Sequence, residues 1–181
     1  MTEKEYFEMR TGAALAAAQG FGNTMAQAAG SGAFYEDVLA ALVKSTIATL
    51  MKEIGAGEKT GTEIVDLEAL IPEWKKEGPA GDGVHSVGEV VTYNGQVVKC
   101  CQAHNTNNNP DILPDNLTFF VPYHTTDPKK AKPFVQPVHA ESAYNIGEVC
   151  IFNGTIYRCI IGGNTYTPEA YPHGWEKVEM E

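Results

Sequence analysis

Residues 87–105 read VGEVVTYNGQVVKCCQAHN, and residues 146–164 read IGEVCIFNGTIYRCIIGGN. The two stretches align without a gap, so Gly88 corresponds to Gly147 at an offset of 59 residues (147 − 88). Repetition at a fixed period indicates a duplicated structural unit. A duplicated unit is typical of a binding or structural protein. It argues against a single catalytic pocket, which would need one unique set of residues.

An Asn-Gly pair stands in the middle of each copy, at 94–95 and at 153–154, between runs rich in β-branched and aromatic residues. Asn and Gly readily adopt the positive φ angles that a two-residue hairpin turn requires. Each copy is therefore predicted to form a β-hairpin. The cross-strand pairs expected from this turn are Val91 with Val98 and Cys150 with Tyr157.

The composition excludes several function classes. The chain has 181 residues, with 13 Lys and Arg against 23 Asp and Glu, and a formal net charge of −10. Binding to nucleic acid or to an anionic membrane needs clustered basic residues, so neither partner is expected. The sequence has no run of 18 apolar residues that would predict a membrane span. The polar start MTEKEYFEMR is unlike a signal peptide, so we expect synthesis in the cytoplasm.

The four cysteines are at positions 100, 101, 150 and 159, without a CxxC motif, and the five histidines are scattered. This spacing disfavours a zinc site, and we expect neither a metal nor a cofactor. Cys100 and Cys159 are equivalent in the repeat, which favours the same buried position in both copies, because free cysteine commonly packs as a small hydrophobic residue. The alternative is a disulfide or a reactive thiol.

The first 57 residues are predicted to be helical. Thr2 and Glu5 fit a capping box, and an Ala-rich stretch follows. Between residues 35 and 54, apolar residues recur at steps of three and four, which predicts one apolar helix face that ends at the glycines beyond it. The Ala-rich helix covers that face poorly. We therefore favour self-association as a homo-oligomer, with a trimer preferred, over a helical hairpin within one chain.

These observations predict a multi-domain α+β chain, with an N-terminal helical oligomerisation region followed by two small all-β modules. The expected boundaries are 1–57 for the helical region, 58–83 for a linker, 84–124 for module 1, 125–142 for a second linker and 143–181 for module 2. Modules of about 40 residues bury little core, so we expect them to pack on each other or on other subunits. The Pro- and Lys-rich second linker suits modules that lie side by side without one continuous sheet.

Each hairpin is followed by a polar loop with two prolines, and copy two then ends in Trp175. This layout resembles the small chitin- and cellulose-binding modules of carbohydrate-binding families 5 and 12. Their pattern is an aromatic residue, Gly-Asp/Glu-Val, a Tyr-x-Gly turn, Tyr-x-Ala/Cys, a Pro-containing loop and a closing Trp. Copy one departs from it at His85, Val98 and Leu117, which replace the leading aromatic, the Tyr and the Trp. Copy two matches it at Tyr144, Gly147, Glu148, Val149, Phe152, Gly154, Tyr157, Cys159, Pro168 and Trp175.

The resemblance covers roughly the last hundred residues and implies a sugar-binding surface built from aromatic side chains. A pair of aromatics that commonly helps to form this surface in the family is missing. Gln102 and Ala103 stand there in copy one, and Ile161 and Gly162 in copy two. The remaining candidate carbohydrate-binding residues are Tyr166, Tyr171 and Trp175 in copy two, and His104 and Asn107 in copy one.

These candidates differ in the alternative that stands beside the binding role. Tyr157 and Trp175 fit equally the core of a small β fold, because such a fold uses every large side chain. Tyr166 and Tyr171 lie in a loop, where binding residues concentrate. If only one copy binds sugar, we expect it to be the second.

Modules with the Cys variant also resemble appendages of phage and prophage tail proteins, where they follow helical or fibrous parts. The resemblance implies a non-enzymatic tail-associated protein (fibre, baseplate or decoration) of the virion. Its expected partners are a host cell-surface polysaccharide or glycan and other tail proteins. One alternative is a structural or assembly protein whose modules dock other tail proteins, and a weaker one is an accessory to a polysaccharide-degrading enzyme.

Catalysis is not expected from this sequence, because it contains no nucleophile or metal motif. A glycosidase needs two carboxylates placed on either side of one bond. Glu89 and Glu148 are equivalent in the repeat, one in each module, and are expected to hold the hairpin edges.

Overall fold

The computed structural model describes residues 32–179, with side chains from residue 37 onward. It contains a long helix, α1 (Gly32–Gly55), a short helix, α2 (Gly61–Asp66), and a series of β-strands after them. The chain divides into two compact units at residues 49 and 50. The mostly β content with one long helix is confirmed, and both predicted modules belong to the second unit. The helix predicted near residue 3 lies outside the described residues.

Helix α1 confirms the apolar periodicity predicted between residues 35 and 54. It ends at Gly55, and Gly57 follows with a φ of 74°, a conformation that glycine adopts without strain. Leu39, Leu42 and Val43 expose 48%, 42% and 49% of their surface. These three apolar side chains of the helix are therefore largely left uncovered by the part of the chain that the structure describes. No helix within residues 32–179 has the length and hydropathy that a bilayer crossing requires.

Helix α2 starts at a capping box on Thr60. The Glu63 N–H donates to Thr60 Oγ1 (3.3 Å), and the Thr60 N–H donates to Glu63 Oε2 (2.8 Å). This reciprocal pair satisfies two donors that a helix start leaves free. The cap directs Ile64 and Val65 inward, where they are 1% and 2% exposed.

The strands that follow are short, as small modules require. They are β1 (Val84–His85), β2 (Val90–Tyr93), β3 (Gln96–Cys100), β4 (His104–Asn105), β5 (Phe120–Pro122), β6 (Lys132–Pro133), β7 (Val149–Phe152), β8 (Thr155–Cys159) and β9 (Trp175–Lys177). Module 1 contains a sheet of order β2-β3-β5 and the pair β1-β4. A second sheet, of order β6-β7-β8-β9, joins β6 of the second linker to the three strands of module 2.

Both predicted hairpins are confirmed, with the predicted register. Val91 lies opposite Val98 in β2-β3, and Cys150 lies opposite Tyr157 in β7-β8. The turns are alike, because Asn94 and Asn153 have φ angles of 47° and 49° and the glycines after them 74° and 75°. Two successive positive φ angles give the turn whose twist matches that of paired strands.

Each module also has an extended segment that lies parallel to the first hairpin strand. In module 1 the Trp74 N–H donates to Thr92 O (2.9 Å), and in module 2 the Phe134 N–H donates to Ile151 O (2.8 Å). The two aromatic residues are 60 positions apart (134 − 74), close to the period of the hairpins. Segments expected to serve as linkers therefore supply an edge to each sheet.

The aromatic residues of these segments enter the cores. Trp74 packs against the module 1 cluster of Val91, Val98, Cys100 and Phe120. Phe134 packs against the module 2 cluster of Tyr144, Cys150, Cys159 and Trp175. The expectation that the equivalent thiols are buried is confirmed, since Cys100 and Cys159 are both 0% exposed. All four cysteines are free.

The two linkers run beside each other and tie the modules together. The Thr126 N–H donates to Thr62 Oγ1 (2.9 Å), and Lys132 Nζ lies 2.6 Å from Glu68 Oε2. A Cβ placed on Gly61 would clash with His124 O at the end of module 1, so the backbones touch there. These contacts hold the first linker against the second linker and the end of module 1, and both sheets belong to the same compact unit.

Candidate functional site

Two tyrosines stand out of the loop between β8 and β9 of module 2. Tyr166 is 61% exposed and Tyr171 is 40% exposed, and their ring centroids are 6.0 Å apart at 54°. The exposed His173 lies beside them, with its ring centroid 6.3 Å from that of Tyr171. The loop therefore presents a row of three rings to solvent, which we call the tyrosine ridge. Both tyrosines were predicted from the sequence, and His173 was not, although it lies only two positions after Tyr171 in the same loop.

The backbone under Tyr166 is held by two buried side chains. The Tyr166 N–H donates to Asn164 Oδ1 (3.0 Å), and Trp175 Nε1–H donates to Tyr166 O (3.0 Å). Asn164 is itself 2% exposed and pairs with Tyr144 through two backbone hydrogen bonds of 2.8 and 2.9 Å. Hydrogen-bonded buried polar groups rigidify the backbone around them, so both backbone polar groups of Tyr166 are held in place.

A turn inside the loop positions Tyr171. The Tyr171 N–H donates to Thr167 O (3.0 Å), and the Ala170 N–H donates to Thr167 Oγ1 (3.0 Å). From the linker, Gln136 Nε2–H donates to Thr165 O (2.8 Å). The loop is therefore held at both ends and at its middle, which lowers the entropy that ligand binding would have to overcome.

Trp175 is a core residue and not part of the exposed surface. It is 6% exposed, and its ring lies edge-on to Tyr144 at 5.2 Å and to Phe134 at 6.2 Å. The interpretation of Trp175 as core is the one that the structure supports. Its contribution to the ridge is indirect, through the hydrogen bond to Tyr166 O.

The structure places the two module 1 candidates away from any comparable surface. His104 is 9% exposed and stacks on His85 with ring centroids 4.8 Å apart. Asn107 is exposed, but its Nδ2–H donates to Asp82 O (2.8 Å) and so holds the loop. His104 therefore has no free face for a sugar, and Asn107 serves loop structure.

The strand register corrects one correspondence between the copies. Trp175 pairs with Cys159, and the residue that pairs with Cys100 is Phe120. Leu117, which the spacing of the loop prolines puts at the place of the closing Trp (175 − 117 = 58, as 168 − 110 = 58), lies in the loop before it. Phe120 follows Cys100 by 20 positions (120 − 100), whereas Trp175 follows Cys159 by 16 (175 − 159). The longer loop of module 1 shifts the closing aromatic by four residues.

The core of module 1 differs from that of module 2 in polarity. Within the described residues, three of its buried side-chain nitrogens lack a hydrogen-bond partner: Trp74 Nε1, His85 Nε2 and His104 Nε2. In module 2, by contrast, the Tyr144 hydroxyl accepts from the Val135 N–H (3.0 Å). His85 therefore carries an unsatisfied ring nitrogen at the repeat position where Tyr144 of module 2 makes a hydrogen bond.

The repeated carboxylates each serve the turn of their own module. Glu148 Oε2 accepts from the Asn145 N–H (2.7 Å), and burial raises the pKa of Glu148, against the lowering effect of that bond. Glu89 accepts from His85 Nδ1 at 3.1 and 3.2 Å. These contacts agree with the structural role expected for both residues.

Comparison of the chain with protein-family models gives no match, and comparison with curated proteins gives none either.

Proposed function

We propose that the protein is a non-enzymatic carbohydrate-binding protein whose binding surface is the tyrosine ridge of module 2. The observation that carries this proposal is the pair of exposed, backbone-anchored rings of Tyr166 and Tyr171. Aromatic faces bind the apolar faces of sugar rings, and rigid side chains lose little entropy when they do so. The resemblance of copy two to chitin- and cellulose-binding modules supports the same ligand class.

The setting that we propose is the tail of a phage or prophage particle, with a cell-surface polysaccharide as the ligand. Helix α1 supports an oligomer, because Leu39, Leu42 and Val43 lie uncovered on it. A homo-oligomer, with a trimer preferred, would bury these side chains between copies. It would also present several ridges at once, and linked weak sites bind more strongly than single ones.

The test measures retention of the full chain on insoluble chitin and cellulose and on a glycan array. Tyr166→Ala and Tyr171→Ala should each weaken binding about tenfold, equivalent to about 1.4 kcal/mol. Ile146→Ala is the matched control, because Ile146 is 71% exposed in the same module but carries no ring. Because the proposed contact is uncharged, raising the salt concentration should leave binding unchanged.

Three results would contradict the proposal. The first is that no polysaccharide retains the wild-type chain. The second is that Ile146→Ala weakens binding as much as the tyrosine variants do, and the third is that binding weakens when the salt concentration is raised. The oligomer is tested separately by light scattering of the wild type and of Leu42→Glu. A wild type that is monomeric at all concentrations would remove the helical association from the proposal and leave the ridge untouched.

A second function, in which the modules dock other tail proteins, is favoured by one specific observation. Gln102 and Ile161 occupy positions where the resembled family commonly has aromatic residues. Co-purification of the wild type with other tail components, unchanged by Tyr166→Ala, would favour this docking role over glycan binding. The weaker alternative, an accessory to a polysaccharide-degrading enzyme, predicts faster polymer breakdown when the chain is added to such an enzyme.

A further inference from the structure

The outer edge of strand β2 carries an N–H group that faces away from the sheet. The Cys100 N–H donates to Glu89 O (2.7 Å), and hydrogen-bonded and non-bonded pairs alternate along an antiparallel ladder. Val90, paired with Lys99, is therefore at a non-bonded pair, and its N–H points outward. Within residues 32–179 this N–H has no hydrogen-bond acceptor.

The repeat shows what a complete module places at this position. In module 2 the equivalent residue is Val149, and its N–H donates to Thr125 O (2.8 Å). Thr125 forms an antiparallel bridge with Val149, next to the parallel segment that pairs with the following residues of β7. Module 2 thus has its edge covered by two pieces of the chain. Among residues 32–179, the strand piece that pairs with this edge of module 1 is the parallel one, at Glu73 and Thr92.

A groove lies where the second piece would be. Its volume is about 460 Å³, and its apolar lining includes Met51, Pro72, Pro79 and Val90. Met51 is half-buried and Pro79 is exposed, so the groove opens to solvent on that side. Val90, which lines its floor, is itself 5% exposed and packs against Ile54 in the core. Unpaired strand edges next to apolar grooves are where extended peptides add as a further strand.

We propose that this edge of module 1 binds an extended peptide segment of a partner protein, in the manner in which the edge of module 2 binds Thr125 of the second linker. A backbone carbonyl of the partner accepts from the Val90 N–H, as Thr125 O accepts from Val149. An apolar side chain of the partner lies between Met51 and Pro79. The proposal does not depend on the tyrosine ridge, which lies in the other module.

The probe is a fluorescent, end-blocked peptide with the sequence VPYHTTD, which is that of residues 121–127. It should bind the full chain saturably, with half-saturation below about 1 mM, a limit typical of weak binding. Pro79→Trp fills the mouth of the groove and should weaken binding at least tenfold. Pro110→Trp is the matched control, because Pro110 is equally exposed but lies in the loop after β4. A scrambled peptide of the same composition should not compete.

Amide hydrogen exchange of Val90, followed by NMR, locates the site. Its N–H should exchange readily in the free protein and become protected at least tenfold when the peptide is added. Four results would overturn the proposal: no saturation, equal binding by Pro79→Trp, competition by the scrambled peptide, or an N–H that is already protected without peptide. Protection that grows with protein concentration alone would overturn it too, because the occupant would then be a second copy of this chain.

Discussion

Replacing Tyr144 with Phe removes one oxygen atom from the core of module 2, and we expect it to lower the free energy of unfolding by about 1–2 kcal/mol. The Tyr144 side chain is 1% exposed, and its hydroxyl accepts from the Val135 N–H at 3.0 Å. The ring remains in place in the variant, so packing is preserved. The loss comes from the Val135 N–H, which stays partly buried with no acceptor.

Urea denaturation followed by circular dichroism measures this change, and thermal melting should show a midpoint lower by about 2–8 °C. Tyr166→Phe is the control, because the Tyr166 ring is 61% exposed and its loss of a hydroxyl should change stability by less than about 0.5 kcal/mol. A Tyr144→Phe variant as stable as the control would refute the reasoning. It would mean that the hydrogen bond to Val135 contributes nothing beyond what water supplies.

Three further outcomes follow from other contacts. Gly61→Ala should destabilise the protein by about 1–3 kcal/mol in urea melts, because the new Cβ meets the backbone of His124 at the end of module 1, whereas Gly162→Ala, with nothing within 4 Å, should be neutral. Burial lowers the pKa of His124, so the folded state keeps it neutral and stability should fall as the pH drops below about 6.5. His124→Gln, which keeps an N–H donor, should lose less stability between pH 7.5 and 5.5, and equal losses would contradict this assignment. In a thiol-labelling time course on the native protein, Cys101 should react first, because the other three thiols are buried. Burial raises the pKa of Cys100 to about 11 and that of Cys150 to about 12, which slows their reaction further. The buried thiols are Cys100, Cys150 and Cys159.

The hairpins could be predicted in full because their information is local. An Asn-Gly pair fixes the turn, and the turn fixes the partner of every residue in both strands. The register of Val91 with Val98 therefore follows from a two-residue signal. The long helix was also predictable, because apolar residues recur at steps of three and four between residues 35 and 54 of a helix that runs from Gly32 to Gly55.

The parallel segments could not be predicted in the same way. A parallel pair has no connecting turn, so nothing near Trp74 or Phe134 in the sequence indicates the strand it joins. The closing aromatic of module 1 was misplaced at Leu117 for a related reason. Counting on from the second loop proline, Pro114 or Pro172, assumes that the two loops end alike, and the register that identifies Phe120 exists only in the folded sheet.

The candidate site was predicted in part. Tyr166 and Tyr171 lie on an exposed loop, as their polar, Pro-bearing surroundings indicated. Trp175 and His104 are inside, because burial depends on which neighbours the fold brings together and not on residue type alone. For Trp175 the sequence left both interpretations open, and only the edge-on contacts with Tyr144 and Phe134 distinguish them.

The parallel segments move the start of each repeated module to residues before its hairpin. A fragment that starts at residue 143 would hold the hairpin and the closing strand of module 2, but would lack Phe134 and leave a ring-sized gap beside Tyr144. Large cavities of this kind cost several kcal/mol, which is comparable to the whole stability of a small domain. A structurally complete module therefore begins near residue 71 in the first copy and near residue 131 in the second. A gene fusion that transplants either module has to carry these leading residues with it.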